Sequence, residues 1–104
     1  MKTLYTFLVA SSLWVSCHSA VFAQDIAAGE TLFNSKGCIG CHGPKGQSAN
    51  EASFPTLAGK EASYIADQIK AFRDYERENP MMNPMVQGIS DEQAAQIGAY
   101  LAAQ

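Results

Sequence analysis

Hydrophobic positions recur with a helical period in three segments of the chain, and no segment shows the alternation that is typical of a β-strand. The first predicted helix begins at Asp25, a residue type that suits an N-cap, and ends before Gly37. Its apolar face consists of Ile26, Gly29, Leu32 and Phe33. The pattern therefore predicts a short amphipathic helix.

Two further helices are predicted in the second half of the chain. One covers residues 60–74, and its exposed face and tail alternate in charge sign. The other begins at residues 90–93, whose sequence SDEQ is typical of a capping box. The residues predicted to face inward are Tyr64, Ile65, Ile69 and Phe72 in the former helix, and Ala94, Ile97, Gly98 and Leu101 in the latter. The chain is thus predicted to be all-α.

Irregular segments separate these helices. Residues 38–59 are rich in glycine, proline, serine and asparagine, which predicts a long loop. Residues 79–88, NPMMNPMVQG, contain two prolines and three methionines and are not expected to form a regular helix. A loop as long as residues 38–59 is unusual in a small domain unless it wraps around a ligand.

The amino terminus has the composition of a secretory signal peptide. Lys2 is followed by an uncharged, largely apolar run over residues 4–15, and the residues before Gln24 fit the small-residue rule for cleavage. The run is shorter than the ~20 residues that a membrane span requires. An uncleaved anchor or a lipidated cysteine fits these residues less well. We therefore expect residues 1–23 to be a cleaved signal peptide and residues 24–104 to form the domain, with no stable membrane insertion after cleavage.

Removal of this segment leaves a small acidic domain. The whole chain has a formal net charge of −3, and the loss of Lys2 makes the charge one unit more negative. An acidic surface makes nucleic acid and anionic lipid poor partners. A domain of this size also buries a low fraction of its surface and usually needs a staple or a cofactor. We therefore expect a covalent staple or a bound cofactor to supplement the apolar core.

The reactive side chains are concentrated in the segment KGCIGCHGPKG, residues 36–46. Beyond residue 23, Cys38 and Cys41 are the only cysteines and His42 is the only histidine. A closed zinc site needs a fourth ligand that these residues do not supply, and a disulfide-exchange motif needs a βαβ context that is not predicted. Two thiols one helical turn apart, followed by a histidine, fit one haem that is attached by thioethers and ligated by the imidazole. We therefore predict one covalently bound haem c.

The second axial ligand of the iron must come from outside this motif. His42 is the only histidine of the predicted domain, so a second histidine from the same chain is excluded. Met81, Met82 and Met85 lie in the proline-rich loop about 40 residues later, and a thioether is an established haem ligand. A single methionine is more often core filler, but three in one irregular loop favour ligation by one of them.

With these features the chain resembles a class I c-type cytochrome of the short bacterial monohaem kind, and it is similar to one half of the tandem dihaem bacterial cytochromes c. The resemblance covers nearly all of residues 24–104. Gly29 and Phe33 resemble the residues by which the family's first helix crosses its last, and Tyr100 with Leu101 resembles the facing pair. The resemblance implies a small all-α cytochrome c fold, with three main helices around one covalently attached haem.

The resemblance also implies two further site residues. The segment FPTLAG, residues 54–59, resembles a family loop whose proline carbonyl accepts a hydrogen bond from the ligand histidine, so Pro55 would orient His42. In similar sequences the methionine ligand lies eight residues before the serine that caps the last helix. That serine is Ser90 here, and the spacing selects Met82 over its two neighbours.

This ligand pair implies an electron carrier and not an enzyme. With His42 and Met82 both on the iron, no coordination position stays open for a substrate, and one-electron cycling between Fe(II) and Fe(III) is the chemistry that remains. We therefore expect a soluble periplasmic carrier that meets its redox donor and acceptor in transient contacts. Two alternatives stay open: a dedicated cytochrome c subunit of a larger periplasmic dehydrogenase, and a haem sensor or catalyst with a displaceable methionine. The acidic charge departs from the basic haem edge of mitochondrial relatives, so their partner surface is not carried over.

Overall fold

The computed structural model describes residues 18–104, with no description of the side chains of residues 18–22 and 24. This part of the chain is helical and contains no strand. Its elements are α1 (His18–Ser35), α2 (Cys38–His42), a 3₁₀ turn (Pro44–Gly46), α3 (Ala62–Arg73), α4 (Met82–Met85) and α5 (Asp91–Ala102). The predicted all-α fold is confirmed. Most of the predicted signal peptide lies outside the described residues, and none of the described helices is both long and apolar enough to cross a bilayer.

Helix α1 begins earlier than the sequence pattern predicted. Asp25 lies inside the helix and is not its N-cap, because residues 18–24 precede it in the full chain and contain no proline or glycine that would interrupt the helix. At the other end, Gly37 adopts a φ of 83°. This left-handed conformation is typical of the glycine that terminates a helix, as the sequence predicted.

Helix α5 packs against both α1 and α3 and forms the centre of the fold. At its crossing with α1, the Gly29 Cα lies against the α5 backbone, and the ring centroids of Phe33 and Tyr100 are 5.7 Å apart. At its crossing with α3, Gly98 lies against the carbonyl group of Ala62. A glycine at each crossing therefore lets two helices approach with backbone in contact with backbone.

The predicted inward faces form the core, with one exception. Tyr64 is 47% exposed, because it lies one residue away from the row of Ile65, Ile69 and Phe72 that turns inward at helical spacing. In α5 all four predicted residues are buried, and so is Tyr100. The most deeply buried large side chains are Phe33, Ile89, Ile97 and Leu101.

Helix α5 begins with a capping box, as the sequence predicted. The Ser90 hydroxyl accepts a hydrogen bond from the Gln93 N–H, and the Gln93 side chain accepts one from the Ser90 N–H. These two bonds satisfy backbone donors that the first turn of a helix leaves without intrahelical partners.

Both predicted loops contain short helical stretches, and the prediction was wrong for these residues. Within residues 38–59, α2 and the 3₁₀ turn are helical. Within residues 79–88, α4 forms a single helical turn although it contains Pro84. Proline is tolerated there because the N–H groups of a first turn have no intrahelical acceptor.

Gly29→Ala is expected to lower the free energy of unfolding by about 2 kcal/mol or more, because a Cβ at this position collides with the Gln96 carbonyl group. The measurement is urea-induced unfolding followed by circular dichroism. Ala27→Val is the matched control, because it adds a larger side chain on the exposed face of the same helix and is expected to cost less than about 1 kcal/mol. Equal losses in the two variants would contradict the close crossing.

Candidate functional site

The motif CIGCH forms α2, a helix of a little more than one turn. Glycines flank it on both sides: Gly37 has a φ of 83° and Gly43 a φ of 81°, values that other residue types rarely adopt. Cys38 and Cys41 are both free thiols, and Cys38 is partly buried against the core while Cys41 is exposed. Because they are three residues apart in a helix, their side chains lie on the same side of α2.

The environment of Cys38 does not favour its thiolate. Burial raises the pKa of the Cys38 thiol above its ordinary value, and the nearby Cys41 adds to this effect, while a backbone hydrogen bond opposes it. Cysteines of disulfide-exchange motifs are instead activated by a lowered pKa. The pKa of Cys38 is therefore shifted in the direction opposite to that of an exchange cysteine.

The imidazole of His42 is held in one tautomer. His42 is only 7% exposed, and its Nδ1 lies 2.8 Å from the carbonyl oxygen of Pro55. A carbonyl oxygen can only accept a hydrogen bond, so Nδ1 carries the proton and donates it. Nε2 then keeps its lone pair and is the nitrogen that can bind a metal ion.

Backbone hydrogen bonds fix the loop that presents this carbonyl group. The carbonyl oxygen of Gly46 accepts hydrogen bonds from the N–H groups of Leu57 and Ala58, at 2.8 and 3.1 Å. The N–H of Gly59 donates to the carbonyl oxygen of Leu101 at 2.8 Å. The loop is therefore tied both to the turn that follows the motif and to the end of α5.

The three candidate methionines differ in their surroundings. Met82 is partly buried and packs against the core, whereas Met81 and Met85 are 55% and 44% exposed. The methyl group of Met85 lies close to Gly37, directly before the motif helix. The methionine segment thus approaches the motif through Met85, while Met82 is the methionine that is withdrawn from solvent.

Sequence reasoning missed Asn83, a buried polar residue beside Met82. Its amide nitrogen donates hydrogen bonds to the carbonyl oxygens of Phe72 and Arg77, at 2.8 and 2.9 Å. Its Oδ1 accepts a hydrogen bond from the N–H of Asn79 at 2.7 Å. The sequence offered only one signal, a polar residue in a segment of prolines and methionines, and that signal does not identify the bonding partners.

Arg73 joins the far end of the same segment to α3. Its guanidinium group donates hydrogen bonds to the carboxylates of Asp74 and Asp91, at 2.8 and 2.7 Å, and to the carbonyl oxygen of Ile89 at 3.1 Å. The bonds to Asp74 and then Asp91 raise the pKa of Arg73 above its ordinary value. Gln87 adds a hydrogen bond from its Nε2 to the Arg73 carbonyl oxygen. Side chains thus attach the segment to α3 at two places, through Asn83 and through Gln87 and Arg73.

The chain is similar to a known protein family and to individual members of it. Residues 26–104 match the family model described as Cytochrome c. Cytochrome c-554(548) of Halomonas halodenitrificans is 42% identical over 85 residues, which cover 79% of this chain and 99% of that protein. A thiosulfate dehydrogenase electron acceptor of Stutzerimonas stutzeri is 39% identical over 66 residues, which cover 64% of this chain and 31% of that protein.

A solved structure has a similar fold. Cytochrome c4 of Acidithiobacillus ferrooxidans superposes with a TM-score of 0.71 at 32% identity, and the match covers 77% of this chain and 50% of that one. The chain therefore spans about half the length of this cytochrome c4 but nearly the whole length of cytochrome c-554(548).

Gly46→Ala is expected to destabilise the protein more than Gly88→Ala does. Both glycines have a positive φ, 75° and 81°, so alanine is strained at either position by about 1 kcal/mol. A Cβ on Gly46 also meets the Leu101 side chain and the Ala58 nitrogen, whereas a Cβ on Gly88 meets nothing within 4 Å. We expect Gly46→Ala to lose at least about 1 kcal/mol more in urea unfolding. Equal losses would show that the loop does not pack tightly over Gly46.

Proposed function

Because the chain belongs to the cytochrome c family, we propose that it is a periplasmic one-electron carrier that holds its haem through Cys38 and Cys41 and ligates the iron with His42 and Met82. Members of this family carry covalently attached haem c and transfer electrons, and they are not enzymes. The observation that carries the proposal is the hydrogen bond from His42 Nδ1 to Pro55. It commits one imidazole nitrogen to the protein and leaves the other for a metal.

The residues of the motif suit haem c. Cys38 and Cys41 are free thiols on the same side of α2, which is the arrangement that two thioether bonds to one porphyrin require. The bound group supplies a one-electron iron couple and a large apolar surface. The protein contributes the attachment points, the axial ligands and the exclusion of water.

Pro55 has a positioning role in this proposal. Its carbonyl group accepts the hydrogen bond from Nδ1 of His42, and this bond prevents the imidazole ring from rotating. It also increases the basicity of Nε2, because a hydrogen bond to an acceptor leaves more electron density on the ring. The loop bonds described above hold the carbonyl group in place, so the strength of the ligand does not depend on a mobile side chain.

Met82 is the proposed second axial ligand because of its burial and its backbone contacts. It is the partly buried methionine of the three, and its N–H donates a hydrogen bond to Asn79 Oδ1 at 2.9 Å. A thioether is a neutral and weak ligand, so its backbone must be held if the bond is to persist through both oxidation states. Two axial ligands from the protein leave no coordination site for a substrate, which favours a carrier over a sensor or catalyst.

Exposed apolar side chains in the motif and in the methionine segment are suited to brief contacts with redox partners. Ile39 in the motif is 36% exposed, and Met81 and Met85 are also exposed. Isolated apolar side chains on an acidic protein offer a small contact area, and small contacts are typical of weak electron-transfer encounters. This region is therefore the proposed point of electron exchange.

A dedicated acceptor for a dehydrogenase is a second candidate function. It is favoured by the relative from Stutzerimonas stutzeri that is described as a thiosulfate dehydrogenase electron acceptor. Size-exclusion chromatography of the native extract separates the two candidates, because a diffusible carrier elutes alone and a dedicated subunit elutes with its dehydrogenase.

Met82→Ala is expected to abolish the weak far-red sulfur-to-iron absorption band of the ferric holoprotein and to lower its reduction potential, because the thioether ligand is lost. Met81→Ala and Met85→Ala are matched controls and are expected to keep the band. Loss of the band in Met85→Ala or Met81→Ala alone would move the ligand to that residue. A high-spin ferric spectrum of the unsubstituted protein would contradict the carrier.

Cleavage before Gln24 is expected in protein from the native host, because the preceding residues have the pattern of a signal peptide. Amino-terminal sequencing or intact-mass measurement of the periplasmic fraction tests this. Recovery of the protein with residues 1–23 still attached would contradict cleavage, and recovery from the cytoplasm alone would contradict periplasmic function.

A further inference from the structure

We propose that Asn83 is a positioning residue for the methionine ligand: its amide fastens the α4 turn to the end of α3 and so holds the backbone that carries the Met82 sulfur. The proposal rests on the assignment of Met82 as an axial ligand. Nothing in the spacing of the methionines or in the attachment motif calls for an asparagine at this position.

The hydrogen-bonding capacity of Asn83 is almost fully used inside the protein. Only 7% of the residue is exposed. Both N–H bonds of its amide nitrogen are used, one on Phe72 and one on Arg77, and its oxygen accepts from Asn79. A buried amide is tolerated only when it is hydrogen-bonded in this way. Asn83 is therefore a specific bridge and not an accidental polar residue in the core.

The carbonyl groups that Asn83 binds lie where α3 ends and the chain reverses. The last carbonyl groups of a helix have no intrahelical donor, and Phe72 is the second-last residue of α3. Tyr75 then adopts a φ of 57°, which turns the chain back, and the Arg77 guanidinium carbon lies 4.6 Å from the centre of the Phe72 ring. Asn83 bridges this reversal, because its amide donates to Phe72 before the turn and to Arg77 after it.

Asn83 reaches Met82 through Asn79. The Oδ1 atom of Asn79 accepts hydrogen bonds from the N–H groups of both Met81 and Met82, each at 2.9 Å. The Asn79 N–H donates to Asn83 Oδ1, and the Asn83 N–H donates to the Asn79 carbonyl oxygen at 3.0 Å. This reciprocal pair caps the α4 turn much as a capping box does. The contacts form a continuous chain from α3 through Asn83 and Asn79 to the backbone of Met82.

The consequence for the ligand can be measured with an external competitor. Imidazole binds only to ferric molecules in which the methionine has left the iron, so its apparent affinity rises with the fraction of such molecules. A looser α4 turn increases this fraction without removing the sulfur. Imidazole affinity therefore reports how well the ligand is positioned.

The test compares Asn83→Leu and Asn83→Asp with the unsubstituted ferric holoprotein. Leucine has a similar size but makes none of the hydrogen bonds, and aspartate keeps the acceptor for Asn79 but loses both donors. We expect Asn83→Leu to bind imidazole about tenfold more tightly, because the Phe72 and Arg77 carbonyl groups lose the Asn83 amide as a donor, and Asn83→Asp to change the affinity in the same direction. Asn83→Asp also serves as the second variant if Asn83→Leu does not fold.

Two controls separate positioning from general stability. Ala95→Gly lowers helix stability at an exposed position of α5, remote in sequence from the methionine segment. Asn34→Leu makes the same replacement at an exposed position of α1. Both are expected to leave imidazole affinity within about twofold of the unsubstituted value, and urea unfolding of every variant provides the stability against which affinities are compared.

The outcomes separate this proposal from the function on which it rests. If the unsubstituted protein shows the far-red band, Met82→Ala loses it, and the Asn83 variants bind imidazole as the unsubstituted protein does, the positioning role alone is overturned. It is also overturned if Ala95→Gly raises the affinity as much as Asn83→Leu at an equal loss of stability. Absence of the band in the unsubstituted protein overturns the methionine ligation and, with it, this proposal.

Discussion

The close contact of α5 with the two other long helices is the constraint on which the rest of the structure depends. Gly29 and Gly98 place backbone against backbone at the two crossings, and the Phe33 and Tyr100 rings fill the space beside the first crossing. The loop that carries Pro55 is then attached to the end of α5 at Leu101. The orientation of the His42 imidazole is thus linked, through this loop, to the packing of α5 against α1 and α3. A change at a helix crossing consequently affects the proposed iron ligand without touching it.

The two proposed iron ligands are held in place by different kinds of contact. His42 is buried, and a backbone carbonyl group of the neighbouring loop, itself fixed by backbone hydrogen bonds, holds its tautomer. Met82 lies in a segment whose position depends on side-chain hydrogen bonds from Asn79, Asn83 and Arg73. This arrangement suits an electron carrier, because preorganised ligands need little rearrangement when the charge of the iron changes.

Features that depend on local sequence could be predicted, and features that depend on distant partners could not. The capping box at Ser90 involves residues three apart, so its sequence alone indicates it. The position of Asp25 inside α1 depends on the residues before it, and Pro84 fits a helical turn only because that turn begins at Met82. Asn83 binds Phe72, eleven residues earlier, across a chain reversal that no local pattern describes. Sequence reasoning therefore located the attachment motif and the methionine segment but not the network that joins the latter to α3.

The side-chain attachment of residues 74–85 makes this segment a separate unit of local stability. Asn83 holds it to α3 by a hydrogen bond, and Met82 is its only apolar side chain that is even partly buried, whereas Val86, Ile89 and the long helices are held by apolar burial. A unit with few apolar contacts can open at a lower free energy than the whole molecule. In the proposed ligation, opening of this unit would take the Met82 sulfur from the iron while the helical core stays folded. Substitutions in this segment can accordingly adjust the redox behaviour of the protein without a matching loss of its fold.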